Sequence, residues 1–263
     1  MLKNTARSIR TRATAGLVTA AALALALAGC GQDSTSPEEA RGQAVGKITA
    51  KGSGGGSHSP VDCATVKCIA LTFDAGPGPH TPQLLDILKE KKVHATFFLL
   101  GKRHVDTYPE IVRRAAAEGH EIANHTWTHQ RLDQLKPDEI RSELDHTQQA
   151  VKALTGREPT LMRPPQGRTN NDVKAVTEEL GLSQVLWSAT AKDYDTTDSA
   201  LIQKRILDQA GRDGIILLHD IYDGTVPAVP GIIDELRKRG YTFVTVPQLL
   251  APGTPRPGTL YRP

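Results

Sequence analysis

The chain lacks an apolar run long enough to span a membrane comfortably. Its longest apolar stretch, residues 15–28, is rich in Ala and Leu and follows a head with four basic residues and no acidic one. A membrane span needs about 20 apolar residues, whereas the apolar core of a signal peptide needs about 7–15. Residues 1–30 are therefore interpreted as a signal peptide and are excluded from the fold.

Without that segment, the chain also lacks an excess of positive charge. The whole sequence has 32 Lys and Arg against 29 Asp and Glu, and removing the four basic residues of the signal segment leaves a net charge of −1. The remaining chain has no stripe of aromatic and arginine residues either. We therefore expect no nucleic-acid partner.

Cysteine is scarce, and the first of the three is placed where the small residues of the signal segment end. Residues 27–30 read Leu-Ala-Gly-Cys, which resembles the lipobox in which the cysteine of bacterial lipoproteins is acylated. An ordinary secretory signal with an incidental cysteine is the alternative. We expect a lipid anchor at Cys30, which would hold the protein on the outer side of the cytoplasmic membrane.

The other two cysteines, Cys63 and Cys68, lie close together near the start of the predicted domain. In an oxidising exterior this proximity favours a small disulfide loop. A redox or metal-binding pair is the alternative, but it favours a spacing of two intervening residues, which is absent here.

The composition divides the rest of the chain into three parts. Residues 31–60 are rich in Ser, Gly, Glu and Gln without apolar periodicity, which predicts a flexible linker. Residues 61–250 are long enough for one domain with an adequate core. Residues 251–263 form a proline-rich C-terminal tail.

Within residues 61–250, short apolar runs alternate with amphipathic stretches. Strands are expected over residues 69–73, 95–100, 121–124, 161–163, 183–187, 215–219 and 242–246. Helices are expected over residues 81–92, 109–118, 137–154, 171–180, 199–210 and 229–239. This pattern predicts an α/β fold, with a parallel sheet covered by helices and curled into a distorted (β/α) barrel of about seven parallel strands. Residues 74–79 carry two prolines where a phosphate-binding loop needs free amides, which disfavours an open nucleotide-binding sheet.

Polar residues with catalytic chemistry lie where the predicted strands end. His125 and His129 are four residues apart, a spacing that on one helical turn directs both imidazoles to one divalent metal. Asp74, Arg163 and His219 occupy similar strand-to-loop junctions, which share one rim in a barrel. Taken alone, each of these residues is more often structural than catalytic: a turn cap, a surface partner or a core side chain. Together they indicate an active site.

Four motifs that contain these residues follow one another along the domain. They are Leu-Thr-Phe-Asp-Ala-Gly-Pro at 71–77, His-Thr-Trp-Thr-His at 125–129, Arg-Pro-Pro-Gln-Gly at 163–167 and Leu-Leu-His at 217–219. In this order they resemble the motifs of NodB-type polysaccharide deacetylases, carbohydrate esterase family four. The resemblance implies a distorted β/α barrel that removes acetyl groups from N-acetylated glycans, or in some members from xylan esters, with the help of a metal.

The resemblance also implies roles in proton transfer. Asp74 matches the general base of the family, and His219 matches the general acid. Arg163 matches the arginine that orients the base, a charge-assisted contact. Asp193 matches the carboxylate that supports the acid histidine.

Further residues are matched to the metal and the substrate. His125 and His129 match the histidines that hold the metal, for which we expect zinc, with cobalt as the other option. The backbone amide of Gln166 matches a donor to the oxyanion, and the ring of Tyr194 matches an aromatic residue of the acetyl pocket. Leu217, in the last motif, is expected to contact the substrate beside them.

The chain departs from the family pattern at three positions. Ala75 stands where the family normally has a second aspartate, the third protein ligand to the metal. Thr190 replaces an acidic residue, and Tyr194 replaces a tryptophan. A lost carboxylate removes a bond and a neutralising charge, so we expect weaker metal binding. His80 and Asp195 are nearby polar residues that could replace it in part, but each alone is interpreted as an ordinary solvated loop residue.

We therefore expect a metal-dependent hydrolase that removes N-acetyl groups from a cell-wall or chitin-like polysaccharide. It would act as an extracytoplasmic monomer held at the membrane by its lipid, which favours the cell's own wall glycan as substrate. A non-catalytic glycan-binding lipoprotein is one alternative, for which Ala75 is the evidence. An acetylxylan esterase with the same site is another.

Overall fold

A parallel β-sheet with helices packed on it forms the body of the protein. The computed structural model describes Met1, residues 33–48 and residues 61–263. The strands are β1 (Ser34–Thr35), β2 (Cys68–Asp74), β3 (Thr96–Leu99), β4 (Glu121–Asn124), β5 (Leu161–Met162), β6 (Ser183–Val185), β7 (Ala189–Thr190), β8 (Gly214–His219), β9 (Thr242–Val244) and β10 (Leu260–Tyr261). The α-helices are α1 (Pro37–Ile48), α2 (Thr81–Glu90), α3 (Pro109–Ala117), α4 (Pro137–Thr155), α5 (Asn171–Glu179), α6 (Ser199–Gln209), α7 (Thr225–Lys238) and α8 (Val246–Leu250).

The strands follow the spatial order β1-β10-β6-β5-β4-β3-β2-β8-β7, and β9 pairs with the first half of β2. All of these pairs are parallel. The predicted curled parallel sheet with helices packed on it is confirmed. The described strands exceed the predicted number of about seven because short pairings such as those of β1, β7 and β10 carry no sequence pattern of their own.

The central strand β2 is buried along its whole length, which explains its unbroken apolar character. Ile69, Leu71 and Phe73 face the helices in the larger apolar cluster. Side chains alternate between the two faces of a strand, so Thr72 and Asp74 point to the other face, the interior of the curled sheet. The same strand therefore supplies the core with one face and the candidate site with the other.

Capping side chains define where several helices begin. Asn170 accepts a hydrogen bond from the amide of Val173 at the start of α5, and Asp198 accepts from two amides at the start of α6. In α4, Pro137 occupies the first turn, and Gly156 ends the helix at φ +75°.

The predicted helices match the observed ones to within one or two residues at most of their ends. The exception is α7, which begins at Thr225, four residues earlier than expected.

The predictions of a linker over residues 31–60 and of a tail over residues 251–263 are wrong for the parts that pair with the sheet. β10 adds to the free edge of β6, and β1 adds to β10. The exposed edge of a parallel sheet offers unpaired amides and carbonyls, and these two short strands satisfy them. Their pairing depends on that edge rather than on their own composition, which is why the sequence did not indicate it.

Helix α1 is held on the domain by a buried ion pair. Arg41 donates from Nη2 to Asp213 Oδ2 at 2.6 Å and from Nη1 to the carbonyl oxygen of Leu249 at 2.8 Å. Only 6% of the Arg41 side chain is exposed. Residues 33–48 therefore belong to the folded domain.

Two further features concern the start of the chain. Cys63 and Cys68 are joined by a disulfide, and Cys68 is the first residue of β2. The predicted signal peptide after Met1 and the candidate lipid-bearing Cys30 lie outside the described residues. Among the described residues, no helix is both long and apolar enough to cross a bilayer.

We expect Arg41→Ala to lower the free energy of unfolding by about 3 kcal/mol, because it removes the closest cation of the buried Asp213 carboxylate and leaves it with Arg212 Nε at 3.7 Å. Urea denaturation of a protein that begins at residue 31 measures the change. Arg262→Ala removes an exposed arginine and is the matched control. Equal losses in the two variants would contradict the docking of α1.

Candidate active site

Two parallel strands bring the predicted base and acid to one edge of the sheet. Asp74 ends β2 and His219 ends β8, and their Cα atoms are register partners. The carboxyl ends of parallel strands form the functional rim of β/α barrels. The two residues, 145 positions apart in sequence, are therefore neighbours because of strand pairing.

Asp74 is held by a fully buried arginine. Arg163 Nη1 donates to Asp74 Oδ1 at 2.6 Å and to Thr72 Oγ1 at 2.8 Å, while Nε donates to the carbonyl of Val185 at 3.0 Å. Burial lowers the pKa of the Arg163 guanidinium, and the carboxylate of Asp74 opposes that effect. The contact fixes the orientation of the Asp74 carboxylate.

Thr72 is part of this arrangement and was missed by the sequence analysis. Its hydroxyl donates to the carbonyl of Ile216 at 2.6 Å and accepts from Arg163. The alternation of a strand places residue 72 on the same face as residue 74. A polar residue two positions before Asp74, within an apolar strand, was the signal that could have identified it.

The two histidines of the second motif lie in a loop, and no helical turn brings them together. This histidine loop, residues 125–130, contains two residues in the left-handed region, Thr126 at φ +70° and His129 at φ +64°. Their backbone turns the chain back so that the rings of His125 and His129 still meet, with centroids 4.9 Å apart. The imidazoles therefore converge without a helix.

A backbone carbonyl fixes the ring of His125. Its Nδ1 donates to the carbonyl oxygen of Arg163 at 2.8 Å, which leaves the Nε2 lone pair free, 3.9 Å from Asp74 Oδ2. A metal-binding histidine is commonly oriented by such a carbonyl contact. Burial lowers the pKa of His125 to about 4 and also lowers the pKa of His129, and both shifts favour the neutral form that a metal requires.

The donor set fits a divalent metal held by two imidazoles, and it does not supply the third protein ligand of the family. Among the described residues, no group of three or more His, Cys, Asp or Glu side chains is arranged to hold a metal ion. His80 pairs with Asp223 at 3.0 Å and Asp195 pairs with Arg205 at 2.7 Å. Both residues are thus engaged in ion pairs with neighbouring side chains, as ordinary loop residues are.

The backbone at Ala75 has a conformation that suits the aspartate found at this position in the family pattern. Ala75 is buried and has φ +62°, and its amide donates to the carbonyl of Phe98 at 3.1 Å. Aspartate and asparagine occupy this left-handed region more readily than alanine. An aspartate can thus replace Ala75 without a change of backbone conformation.

His219 is supported by a buried carboxylate. Its Nδ1 lies 2.8 Å from Asp193 Oδ1, and its backbone amide donates to Asp193 Oδ2 at 2.7 Å. Thr225, which the sequence analysis did not identify, donates its hydroxyl to the same Oδ2 at 2.7 Å. Burial opposes the charged imidazole, but the hydrogen bond and charge of Asp193 outweigh it and raise the pKa of His219. The arrangement favours a protonated His219 with Nε2 available to a substrate.

Two tyrosines flank His219 at an open cavity. The rings of Tyr194 and Tyr222 lie 6.2 and 5.4 Å from the ring of His219, centroid to centroid. Both line a cavity of about 620 Å³ next to Asp193. Tyr194 is 58% exposed, as expected of a residue that meets a ligand. Tyr222 was missed because it lies outside the four motifs, three residues after the last one.

The two remaining residues predicted to contact the substrate differ in exposure. Gln166 is exposed in the turn after Arg163 and has φ +58°. Leu217 is buried in β8, two residues before His219. Strand alternation places its side chain on the same face of β8 as His219.

Comparison with known proteins agrees with this geometry. The family model described as Polysaccharide deacetylase matches residues 62–185. A peptidoglycan-N-acetylmuramic acid deacetylase, PdaC, of Bacillus subtilis (strain 168) is 41% identical over 184 residues, which cover 70% of this chain and 38% of the relative. This chain thus spans about two fifths of the length of the first curated relatives it matches.

Two solved structures extend the comparison. The structure named T48 deacetylase with substrate is 39% identical, with a TM-score of 0.73, and the match covers 76% of this chain and 99% of that one. A mutant of BA3943, named a CE4 family pseudoenzyme with restored enzymatic activity, is 28% identical with a TM-score of 0.67, covering 71% of this chain and 68% of that one. With its fold, its ordered motifs and these similarities, the chain belongs to the polysaccharide deacetylase family, carbohydrate esterase family four.

Proposed function

We propose that this protein hydrolyses the acetamido groups of an N-acetylated cell-wall or chitin-like glycan. The observation that carries the proposal is the placement of Asp74 and His219 opposite each other, each braced by its own buried charged partner. Amide hydrolysis needs a base for water and an acid for the leaving amine, and the two braced groups supply one of each.

In the proposed reaction, Asp74 takes a proton from a water molecule whose oxygen bonds to the acetyl carbon. His219 then donates a proton to the amine nitrogen as the carbon–nitrogen bond breaks, releasing acetate and a free amino sugar. Arg163 keeps the Asp74 carboxylate directed into the site, and Asp193 keeps Nδ1 of His219 occupied so that Nε2 faces the substrate. The amide of Gln166 would donate to the oxyanion.

A divalent metal, which we expect to be zinc, would be held by His125 and His129. When bound, it would supply Lewis-acid polarisation of the acetyl carbonyl. Burial keeps both imidazoles neutral, which suits this role. Because Ala75 has no ligand atom, we expect weaker binding than in a three-ligand site.

The position of Ala75 also supports a second candidate, a non-catalytic glycan-binding protein. Loss of the carboxylate ligand removes part of the metal site while the tyrosine-lined cavity beside His219 stays available to a sugar. The existence of a neighbour named as a pseudoenzyme shows that this fold also occurs in inactive form. The two candidates differ in whether acetate is released.

We expect acetate release from peptidoglycan or chito-oligomers in excess of release from acetylxylan, increased by added zinc or cobalt. Asp74→Asn and His219→Ala should each lower turnover by about a hundredfold or more, since each removes one proton-transfer group. Enzymatic measurement of acetate gives the rates, and melting temperatures verify that the variants are folded.

Asp208→Asn and His94→Ala are the matched controls, because both residues are exposed and remote from the rim. Near-wild-type turnover in Asp74→Asn or His219→Ala would remove that residue from the mechanism. No acetate from any of the substrates would favour the glycan-binding candidate.

We expect Ala75→Asp to tighten zinc binding by about 3 kcal/mol, roughly a hundredfold, and to raise activity at limiting metal. Ala75→Asn is the control, because asparagine accepts the same backbone conformation without the negative charge. Zinc competition with a chelator measures the affinity. Unchanged affinity and activity in Ala75→Asp would mean that the metal site is not built as the family pattern implies.

We further propose that Cys30 carries a lipid anchor. The Leu-Ala-Gly-Cys run at residues 27–30 supports this proposal, because it resembles the lipobox in which the cysteine is acylated.

Cys30→Ala should move the protein from the membrane fraction to the culture medium and abolish labelling by radioactive palmitate. Ser53→Ala, in the Gly/Ser run, is the control. Unchanged fractionation of Cys30→Ala would end the lipoprotein proposal and would leave the catalytic proposal unaffected.

A further inference from the structure

Glu143 is a buried carboxylate on α4 whose hydrogen bonds all go to the histidine loop. Its Oε2 accepts from the amide of Thr128 at 2.8 Å, and its Oε1 accepts from the Thr128 hydroxyl at 2.6 Å. The side-chain amide of Gln130 donates to Oε1 at 3.4 Å. One carboxylate thus receives three hydrogen bonds from two residues of the loop.

No lysine, arginine or histidine within the described part of the chain forms an ion pair with Glu143. Glu143 is only 8% exposed, and burial of a carboxylate without a cation is costly. An apolar side chain at this helix position would pack with less cost. We therefore look for the role of Glu143 in the conformation of the loop that it binds.

That loop needs external support because of its backbone. Thr126 and His129 are both in the left-handed region, an unfavourable conformation for such residues that persists only where the surroundings enforce it. The Thr126 hydroxyl accepts from the amide of His129, and Asn124 accepts from the amide of Thr126. Thr128 lies between the two strained residues, and Glu143 binds both its amide and its hydroxyl.

We propose that Glu143 is a positioning residue for the histidine pair, holding the loop so that His129 faces His125 before a metal is bound. The inference rests on the proposed metal-dependent function. A site with two protein ligands gains little orientation from the metal itself, so the arrangement of the two imidazoles depends on the protein around them. Glu143 supplies that arrangement from α4 without contact with the metal.

Glu143→Gln tests the proposal with little change of shape. A glutamine keeps one acceptor oxygen for the Thr128 amide, but an NH2 donor replaces the Oε1 that accepts from the Thr128 hydroxyl and from the Gln130 side-chain amide, so those two hydrogen bonds are lost in their present direction. Asp145→Asn is the matched control, because it makes the same change of charge on α4 and its carboxylate contacts only Gln149 on the same helix. Thr128→Val is the second variant and removes the hydroxyl while Glu143 stays in place.

Two measurements are made on each full-length variant: zinc affinity by chelator competition and amide hydrogen exchange of residues 124–131. Glu143→Gln and Thr128→Val should each weaken zinc binding by about ten- to a hundredfold and speed exchange in that segment alone. The double variant should be no weaker than Glu143→Gln, because both changes disrupt one contact. Asp145→Asn should match the wild type in both measurements.

Wild-type zinc affinity in both Glu143→Gln and Thr128→Val would overturn the proposal, whether or not exchange changes. If Glu143→Gln does not fold, Thr128→Val decides the question alone. A wild type that binds zinc but releases no acetate would contradict the proposed hydrolysis and leave the role of Glu143 standing. The two failures are therefore distinguishable.

Discussion

Arg163 reaches from the end of β5 into the interior of the curled sheet and joins several parts of the site at once. Its side chain binds Asp74 and Thr72 on β2 and the carbonyl of Val185 on β6, while its own carbonyl accepts the hydrogen bond from His125. One residue thus orients both the candidate base and the first of the two histidines proposed to bind a metal. A displacement of Arg163 would change both geometries together.

The buried pair of Arg163 and Asp74 fixes the orientation of a carboxylate and adds little to the stability of the fold. The guanidinium is completely buried, and its Nη2 finds no hydrogen-bond acceptor within the described chain. It lies against the ring of Phe98 at 4.0 Å, which offsets part of the loss of water. Ion pairs buried in this way seldom stabilise a fold more than apolar residues of similar volume would. The pair is better understood as a device that fixes a carboxylate in one orientation.

The loops of the site share a second constraint, strained backbone. Non-glycine residues in the left-handed region occur at Ala75, Thr126, His129, Gln166 and Lys192, each within a motif or beside Asp193. Such conformations persist only where surrounding contacts enforce them, and they concentrate at functional sites. The strands provide those contacts beneath the loops. Helix α4 provides them beside the histidine loop, through Glu143 and through the carbonyl of Leu144, which accepts from the side chain of Asn124 at the end of β4. The rigidity of the rim therefore comes from the elements beneath it rather than from the loops.

The sequence by itself determined the alternation of strands and helices, because β2 and β8 are apolar enough to be buried on both faces and α4 carries its own start and stop signals. It also determined which residue types carry the chemistry, through the spacing of the four motifs. Only the tertiary structure decided that β1 and β10 join the sheet, since strands of two residues have no pattern apart from the edge they meet. It likewise decided the partners Thr72, Thr225 and Glu143, whose hydrogen bonds connect residues far apart in sequence. Local sequence patterns predict which residues are buried and where turns occur. Hydrogen bonds between distant residues form only when separate elements pack together.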